Sequence, residues 1–290
     1  MTARYDLHHD IHGNVAVITL DNPPVNSMGM ATRQAIGAHL AAAIADPSVC
    51  AVIITGGNNI FTGGADIREF GLPIAMQAPS LHDLIRAFEA SPKPVVSAIN
   101  GVCMGGGTEI SLGCHYRVAA PGVMIGLPEV KIGLLPGAGG TQRLPRVAGV
   151  ELALRMIVSG NAVPAEVLAK ANAWDRIIEG DFLAGAIIFA GEMAKQKQLP
   201  RVRDKNPSFT GAQQSFSAAR VAAASANPQW PAPLKCIDAI EASTLQSFDD
   251  GLAYEFKLFN ELMATPESAE LRRAFFAERA ARKTALPKNP

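Results

Sequence analysis

Apolar segments typical of buried strands alternate with helical segments through the first half of this chain, and that alternation most constrains its fold. The segment "ATRQAIGAHLAAAIAD" at Ala31–Asp46 has helical apolar spacing, and "CAVIITGG" at Cys50–Gly57 is an apolar run that ends in glycine. Strands are predicted over residues 14–24, 50–57, 95–102, 116–120 and 123–127, and helices over residues 31–46 and 80–94. Strands that alternate with helices indicate an α/β fold.

The second half of the chain is mainly helical, beginning with the segment Thr141–Gly160. We predict a loop at Gln196–Phe209, which is polar, basic and contains proline, and a second break at Ala226–Leu234. Two helices follow, one over Phe248–Ala264 and one that opens at Thr265, an N-cap residue followed by proline at the first helical position.

The length and composition are those of a folded protein with a sizeable core. The chain has 290 residues, of which 48% are hydrophobic and 18% are charged, so burial can stabilise a compact fold. The change from alternating elements to helices predicts a core domain over residues 1–200 and a helical C-terminal region over residues 201–290.

Charge, hydropathy and cysteine content argue against several classes of protein. Lysine plus arginine equals aspartate plus glutamate at 26 each, which indicates no broad nucleic-acid-binding surface. No apolar run approaches 18 residues and the first residues are polar, so we expect neither a membrane span nor a secretory signal. Four cysteines without a CxxC pair predict reduced thiols, no metal site and a cytoplasmic location.

Three glycines, Gly105–Gly107, stand between a predicted strand and a short apolar run at Ile110. At a helix N-terminus their free N–H groups favour a phosphate or an oxygen that becomes negative during a reaction. The phosphate alternative lacks a GK[ST] sequence and the GxGxxG spacing of a dinucleotide site. An oxyanion site needs a second donor, and the glycine turn in "FTGGADIREF" at Phe61–Phe70 is the candidate.

Two glutamates lie close to these glycines in sequence. Glu109 falls in the first turn after them, and Glu129 falls in a second glycine-rich segment, Gly126–Pro145. Burial would raise both pKa values and allow acid–base chemistry near neutral pH. The alternatives are a glutamate that complements the helix dipole at Glu109 and a solvated turn carboxylate at Glu129.

Three motifs in this order resemble those of the enoyl-CoA hydratase/isomerase (crotonase) family. They are "FTGGADIREF", "AINGVCMGGGTEISLGCHYRVAA" and "IGLPEVKIGLLPGAGGTQRLPRVAG". The resemblance implies a spiral of ββα turns with a helical C-terminal region. It also implies an oxyanion hole made by the backbone N–H groups of Ala65 and Gly106, with Gly64, Asp66 and Gly105 at the substrate.

The C-terminal segments narrow the resemblance. "PLKCIDAIEAS" at Pro233–Ser243 and "AFFAERAARK" at Ala274–Lys283 resemble the hydratase/isomerase portion of multifunctional fatty acid β-oxidation enzymes. A 3-hydroxyacyl-CoA dehydrogenase follows that portion in those enzymes. The chain would then be either a portion of such a protein or a stand-alone enzyme, with the dehydrogenase as a linked or separate partner and a monomer or trimer as its assembly.

The reaction that the resemblance implies is the addition of water to a 2-trans-enoyl-CoA. Glu109 would activate the water and Glu129 would handle the proton at the α-carbon, with no cofactor beyond the CoA of the substrate. Isomerisation of a 3-enoyl-CoA is a natural second activity. The alternatives are an isomerase only, an acyl-CoA hydrolase or decarboxylase, or a retro-aldol enzyme, and beyond these a non-catalytic acyl-CoA-binding module.

The resemblance also assigns contacts to CoA. Arg68 matches a cation near the CoA phosphates, and Phe275 and Arg279 of the last helix would add contacts, whereas Glu278 stands where many hydratases have lysine. The segment Gly71–Ile85 is expected to form part of the acyl pocket wall. The histidines receive no catalytic role, and His115 is predicted to lie in the core or at its edge.

Overall fold

Two sheets form the frame of the protein, which we describe from a computed structural model covering residues 3–10, 13–206, 209–226 and 228–285. The larger sheet has the strand order β1-β2-β3-β5-β7-β10 and the smaller one β4-β6-β8-β9. The strands are β1 Ala3–Asp10, β2 Gly13–Leu20, β3 Ala51–Gly56, β4 Ile60–Thr62, β5 Val95–Ile99, β6 Val102–Met104, β7 Tyr116–Ala119, β8 Met124–Gly126, β9 Val163–Pro164 and β10 Arg176–Ile177. The pairs β1–β2 and β8–β9 are antiparallel, and the other neighbouring strands are parallel.

Helices connect the strands and make up the C-terminal part. They are α1 Met30–Ala45, α2 Leu81–Ala90, α3 Gly106–Gly113, α4 Gly140–Ala148, α5 Val150–Ser159, α6 Ala165–Lys170, α7 Phe182–Met193, α8 Ala212–Ala226, α9 Pro231–Leu245, α10 Phe248–Met263 and α11 Pro266–Ala285. Short 3-10 helices lie at Ile67–Glu69, Pro73–Met76, Glu129–Ile132 and Val202–Asp204.

Successive turns of chain each give one strand to each sheet and then a helix. The run β5, β6, α3 is one such turn, and β7 and β8 begin the next. This arrangement confirms the predicted α/β class and the ββα spiral. The single strand predicted over residues 95–102 is wrong, because the chain turns at Gly101, where a Cβ atom would lie 1.8 Å from the carbonyl oxygen of Asn59.

The central strands of the larger sheet, β2, β3, β5 and β7, are buried on both faces. Val15 and Val17 pack with α7, whereas the alternate residues Ala16 and Ile18 point into the main core. A sheet covered on both faces produces mainly apolar strands, such as those at residues 51–56 and 95–99.

The helical C-terminal region packs on the same core. Ile237 and Ile240 of α9 and Leu262 of α10 belong to one cluster with Leu144 and Ile157 of α4 and α5. The division of the chain at residue 200 stays a prediction. The break predicted at residues 226–234 is too long, because Pro231 occupies the first turn of α9, where its missing N–H costs nothing.

The N-cap predicted at Thr265 is confirmed, and the helix predicted over residues 80–94 is present as α2 but ends at Ala90. Ser80 caps α2 by a reciprocal pair of hydrogen bonds with Asp83, and Thr265 accepts a hydrogen bond from the Ser268 amide at the start of α11. All four cysteines are free thiols. In the described part of the chain, no helix combines the length and the apolar character needed to cross a membrane.

Candidate active site

Two backbone amides that the sequence pairs by motif come together between β4 and α3. The carbonyl oxygen of Gly64 accepts a hydrogen bond from the Met28 amide (2.9 Å), and that of Gly105 accepts one from the Glu109 amide (3.1 Å). Both peptides are trans, so the N–H groups of Ala65 and Gly106 point away from those carbonyls. Gly106 is also the first residue of α3, and the N–H group of a first helical residue has no acceptor within the helix.

The glycines are needed because these two backbone segments nearly touch. A Cβ atom on Gly64 would lie 3.2 Å from the Gly106 nitrogen, and one on Gly106 would lie 3.2 Å from the Ala65 nitrogen. Gly64 and Gly105 also have positive φ angles of 99° and 53°, which side-chain-bearing residues rarely adopt. Two N–H donors therefore face one small space.

Glu109 lies in the first turn of α3, as the sequence predicts, and is 3% exposed. Its Oε1 accepts hydrogen bonds from the amides of Ala138 (2.7 Å) and Gly140 (2.9 Å). Burial raises the pKa of Glu109, while the two N–H donors and the nearby Arg143 act in the opposite direction. The side chain is thus held at one oxygen by two fixed donors.

Glu129 begins the 3-10 helix Glu129–Ile132 and lines both cavities described below. Its Oε1 comes so close to Gly105 that a Cβ there would lie 3.0 Å away. Its Oε2 is enclosed and has no hydrogen-bond partner among the described residues. Burial, and then the charge of Glu109, raise the pKa of Glu129 well above its usual value.

A third carboxyl group, that of the fully buried Glu255 on α10, was missed by the sequence analysis. Its oxygens accept from the Gly139 amide (2.7 Å), the Thr141 amide (3.0 Å) and the Thr141 hydroxyl (2.5 Å). Burial, and then the charge of Glu109, raise its pKa to about 8. The signal that could have found it is its place in the apolar stripe of α10, with Leu258 and Leu262 on the same face.

Two cavities meet at the paired amides. Cavity A, of about 530 Å³, opens past the N-terminal end of the 3-10 helix Ile67–Glu69, and cavity B, of about 540 Å³, runs towards α10. The residues common to both linings are Ala65, Asp66, Phe70, Gly106 and Glu129. The predicted site residues that line cavity A are Gly64, Ala65, Asp66, Arg68, Gly105, Gly106, Glu129, Phe275 and Arg279.

The remaining predicted site residue, Glu109, lines cavity B rather than cavity A. Residues of the predicted wall segment 71–85, such as Leu72, Leu81 and His82, line cavity B with it. Phe256 and Met263 of α10 complete the wall. The carboxyl groups of Glu109 and Glu129 therefore both border cavity B, whose walls also carry apolar side chains.

Cations gather at the outer end of cavity A. Arg68 pairs with Asp66 (2.6 Å) but its side chain is 73% exposed, and the Arg279 guanidinium lies over the Phe275 ring, 5.0 Å from its centre. A smaller cavity beside them adds Arg272 and Arg273, which the sequence analysis did not single out. These guanidinium groups suit an anionic ligand such as a phosphate.

His115 has a structural place, as the sequence predicts. It is 2% exposed and its Nδ1 accepts a hydrogen bond from the Val95 amide over 3.0 Å. Burial lowers its pKa to about 4, so the ring is neutral near neutral pH. His115 lies outside the linings of cavities A and B.

Comparisons with known proteins agree with the fold and the motifs. Residues 10–203 match the family described as enoyl-CoA hydratase/isomerase. The chain is 41% identical over 289 residues to a peroxisomal bifunctional enzyme of Danio rerio, covering 98% of this chain and 39% of that protein. It is 37% identical over 279 residues to the peroxisomal bifunctional enzyme of Homo sapiens, covering 96% and 38%.

The fold is also similar to that of solved enoyl-CoA hydratase structures. The crystal structure of an enoyl-CoA hydratase from Mycobacterium avium subsp. paratuberculosis superposes with a TM-score of 0.68 at 24% identity, covering 96% of each chain. The chain spans about two fifths of the length of the two bifunctional relatives.

Proposed function

This chain belongs to the enoyl-CoA hydratase/isomerase family, and we propose that it adds water across the double bond of a 2-trans-enoyl-CoA to give a 3-hydroxyacyl-CoA. One observation carries the proposal: two backbone N–H donors, the buried Glu109 and the half-buried Glu129 all border cavity B. Hydration of a conjugated thioester needs donors for the oxygen that becomes negative and two groups that handle protons.

The thioester oxygen binds the amides of Ala65 and Gly106 in this mechanism. As water attacks C3, electrons move through the double bond to that oxygen, and both donors stabilise the developing enolate. Donors fixed before the reaction need no reorganisation, and the loss of one typically costs about 10²–10³ in rate.

The two glutamates take different roles because their surroundings differ. Glu109 Oε1 is held by two amides, which favour the carboxylate, so Oε2 is the oxygen that takes a proton from the water. Glu129 has an enclosed Oε2 and a pKa raised well above the usual range, so it carries a proton and gives it to the α-carbon. Water loses one proton to Glu109 and the α-carbon gains one from Glu129, so the substrate gains H₂O. Proton exchange with solvent then returns both carboxyl groups to their starting states.

The two cavities divide the substrate between them. Cavity A, with Arg68, Phe275 and Arg279 at its outer end, is proposed to hold the CoA moiety. Cavity B, lined by apolar groups of α10 and of the 71–85 segment, is proposed to hold the acyl chain. CoA is part of the substrate here, and the reaction needs no other cofactor.

Isomerisation of a 3-enoyl-CoA is the second activity that this site favours. It requires one group to remove a proton and one to return it, while the same amides hold the enolate. Glu109 and Glu129 on the borders of one space satisfy that requirement.

A dehydrogenase is the proposed partner. The hydration product carries a hydroxyl group on C3, and the relatives of which this chain spans about two fifths are named bifunctional enzymes. The cytoplasmic location and the monomer-or-trimer assembly stay predictions, and the relatives just cited are named as peroxisomal.

The test is loss of enoyl absorbance with crotonyl-CoA and decenoyl-CoA, for the wild type and for the variants Glu109→Ala and Glu129→Ala. We expect turnover by the wild type and a fall of about 10²–10⁴ in each variant. Glu261→Gln, an exposed carboxylate change on α10, should leave the rate unchanged. Binding of acyl-CoA without turnover of either substrate would contradict the proposal.

A further inference from the structure

Glu255 is a buried carboxyl group that the proposed hydration does not use directly. It lies on α10, is fully buried, and lies outside the linings of cavities A and B. Burying a carboxyl group is costly unless its oxygens are satisfied. Three donors satisfy this one, and all three belong to residues 139 and 141.

Glu109 and Glu255 bind alternate amides of one short segment. The amides of Ala138 and Gly140 donate to Glu109, and those of Gly139 and Thr141 donate to Glu255. Both oxygens of Glu255 are engaged, whereas both amides at Glu109 bind a single oxygen. The segment 138–141 is therefore held from two sides, and its position relative to α3 depends on both carboxyl groups.

The hydrogen bonds around the Thr141 hydroxyl show that it donates its proton to Glu255. Gln142 Nε2 donates to Thr141 Oγ1 (2.8 Å) and to the carbonyl oxygen of Ala239 (2.8 Å). Since Thr141 Oγ1 accepts from Gln142, its own proton is available to Glu255 Oε2 at 2.5 Å. The segment is thereby tied to both α9 and α10.

We propose that Glu255 is a positioning residue, which fixes the amides of Ala138 and Gly140 and thereby the carboxyl group of Glu109. The inference rests on the proposed hydratase function. A catalytic group displaced by about 1 Å can lose about 10²-fold in rate, so a carboxyl group remote from substrate can act through geometry alone.

The experiment compares Glu255→Leu and Glu255→Gln with the wild type, and with Glu261→Gln as the control on the same helix. Leucine removes every acceptor, whereas glutamine keeps one carbonyl oxygen. We expect kcat to fall about 10²-fold in Glu255→Leu and less in Glu255→Gln, with KM within about twofold of the wild type. A KM that rises by more than about twofold while kcat stays unchanged would overturn the inference.

Introducing Glu255→Gln into a Glu109→Ala background separates positioning of Glu109 from a general structural effect. If Glu255 acts through Glu109, the double variant Glu109→Ala/Glu255→Gln should be no slower than Glu109→Ala alone. A fall equal to that in the wild-type background would overturn the inference.

Amide hydrogen exchange at residues 138–141 tests the contact without turnover. We expect the amides of residues 138–141 to exchange faster in Glu255→Gln than in Glu261→Gln. If the Glu255 variants fail to fold, Thr141→Val, which removes one donor to Glu255, should also speed exchange in this segment. Unchanged exchange overturns the inference at any level of activity. If the wild type turns over no enoyl-CoA, the proposed function is contradicted. The rate of amide exchange at residues 138–141 then tests the inference about Glu255 by itself.

Discussion

At the scale of single residues, three glutamates have the same side chain and differ in their surroundings: Glu109 and Glu255 are buried and Glu129 is half-buried. Glu109 has two amides on one oxygen, Glu129 has an enclosed oxygen without a partner among the described residues, and Glu255 has donors on both oxygens. Hydrogen-bond donors favour the ionised form and burial favours the neutral form. We therefore propose three different roles for them: a base, an acid and a positioning group.

The substitution Gly106→Ala tests the paired amides. The new Cβ would lie 3.2 Å from the Ala65 nitrogen and 2.8 Å from Leu81 Cδ1, so it would crowd the space that is proposed to hold the thioester oxygen. We expect kcat for crotonyl-CoA to fall about 10²–10³-fold, the typical cost of losing one oxyanion donor. Steady-state kinetics measures this.

Gly37→Ala is the matched control, because its Cβ would make an ordinary contact of 3.6 Å with Leu84. It should retain wild-type turnover. Equal rates for Gly106→Ala and Gly37→Ala would contradict the role assigned to the amides.

At the scale of elements, α10 combines two tasks. One face carries Glu255 and packs into the core through Leu258 and Leu262, while Phe256, Phe259 and Met263 line cavity B. The helix that helps to hold the proposed base thus also forms part of the wall of the proposed acyl pocket.

Met263→Ala tests that wall. The Met263 Cε lies 4.0 Å from the place of a Cβ on Gly71, so its removal should deepen cavity B between α10 and the 71–85 segment. We expect the ratio of kcat/KM for decenoyl-CoA to that for crotonyl-CoA to rise, since one methylene in an apolar pocket is worth about 1–3 kcal/mol. An unchanged ratio would place the acyl chain elsewhere.

At the scale of the whole molecule, the C-terminal helices and the ββα spiral share one core. Cys236 and Ile237 of α9 are fully buried in the same cluster as Leu134 and Ile157. The apolar surface that these helices cover would be exposed to water if they were removed.

A chain that ends at Lys205 should therefore lose cooperative unfolding as well as activity. Near-ultraviolet circular dichroism and urea unfolding measure this, with the full chain as the reference. A shortened protein that unfolds cooperatively with wild-type sharpness would show that the spiral is an independent domain.

The sequence predicted those features that depend on local apolar patterns and on short motifs. Apolar runs and their spacing predicted the alternating elements, and the motifs around Gly106 predicted the amides and both glutamates. Glu255 was missed because its donors are more than 110 residues away in sequence, at Gly139 and Thr141. The split of the strand at Gly101 was missed because it depends on the backbone of Asn59, a contact that spacing does not encode.

Turnover of crotonyl-CoA in ²H₂O, with the product identified by NMR, tests the central claim most directly. Addition of water assisted by Glu109 and Glu129 predicts a 3-hydroxyacyl-CoA with one deuteron on the α-carbon. Unchanged enoyl-CoA after long incubation, or free CoA released by hydrolysis without a hydroxyl group on C3, would contradict the account.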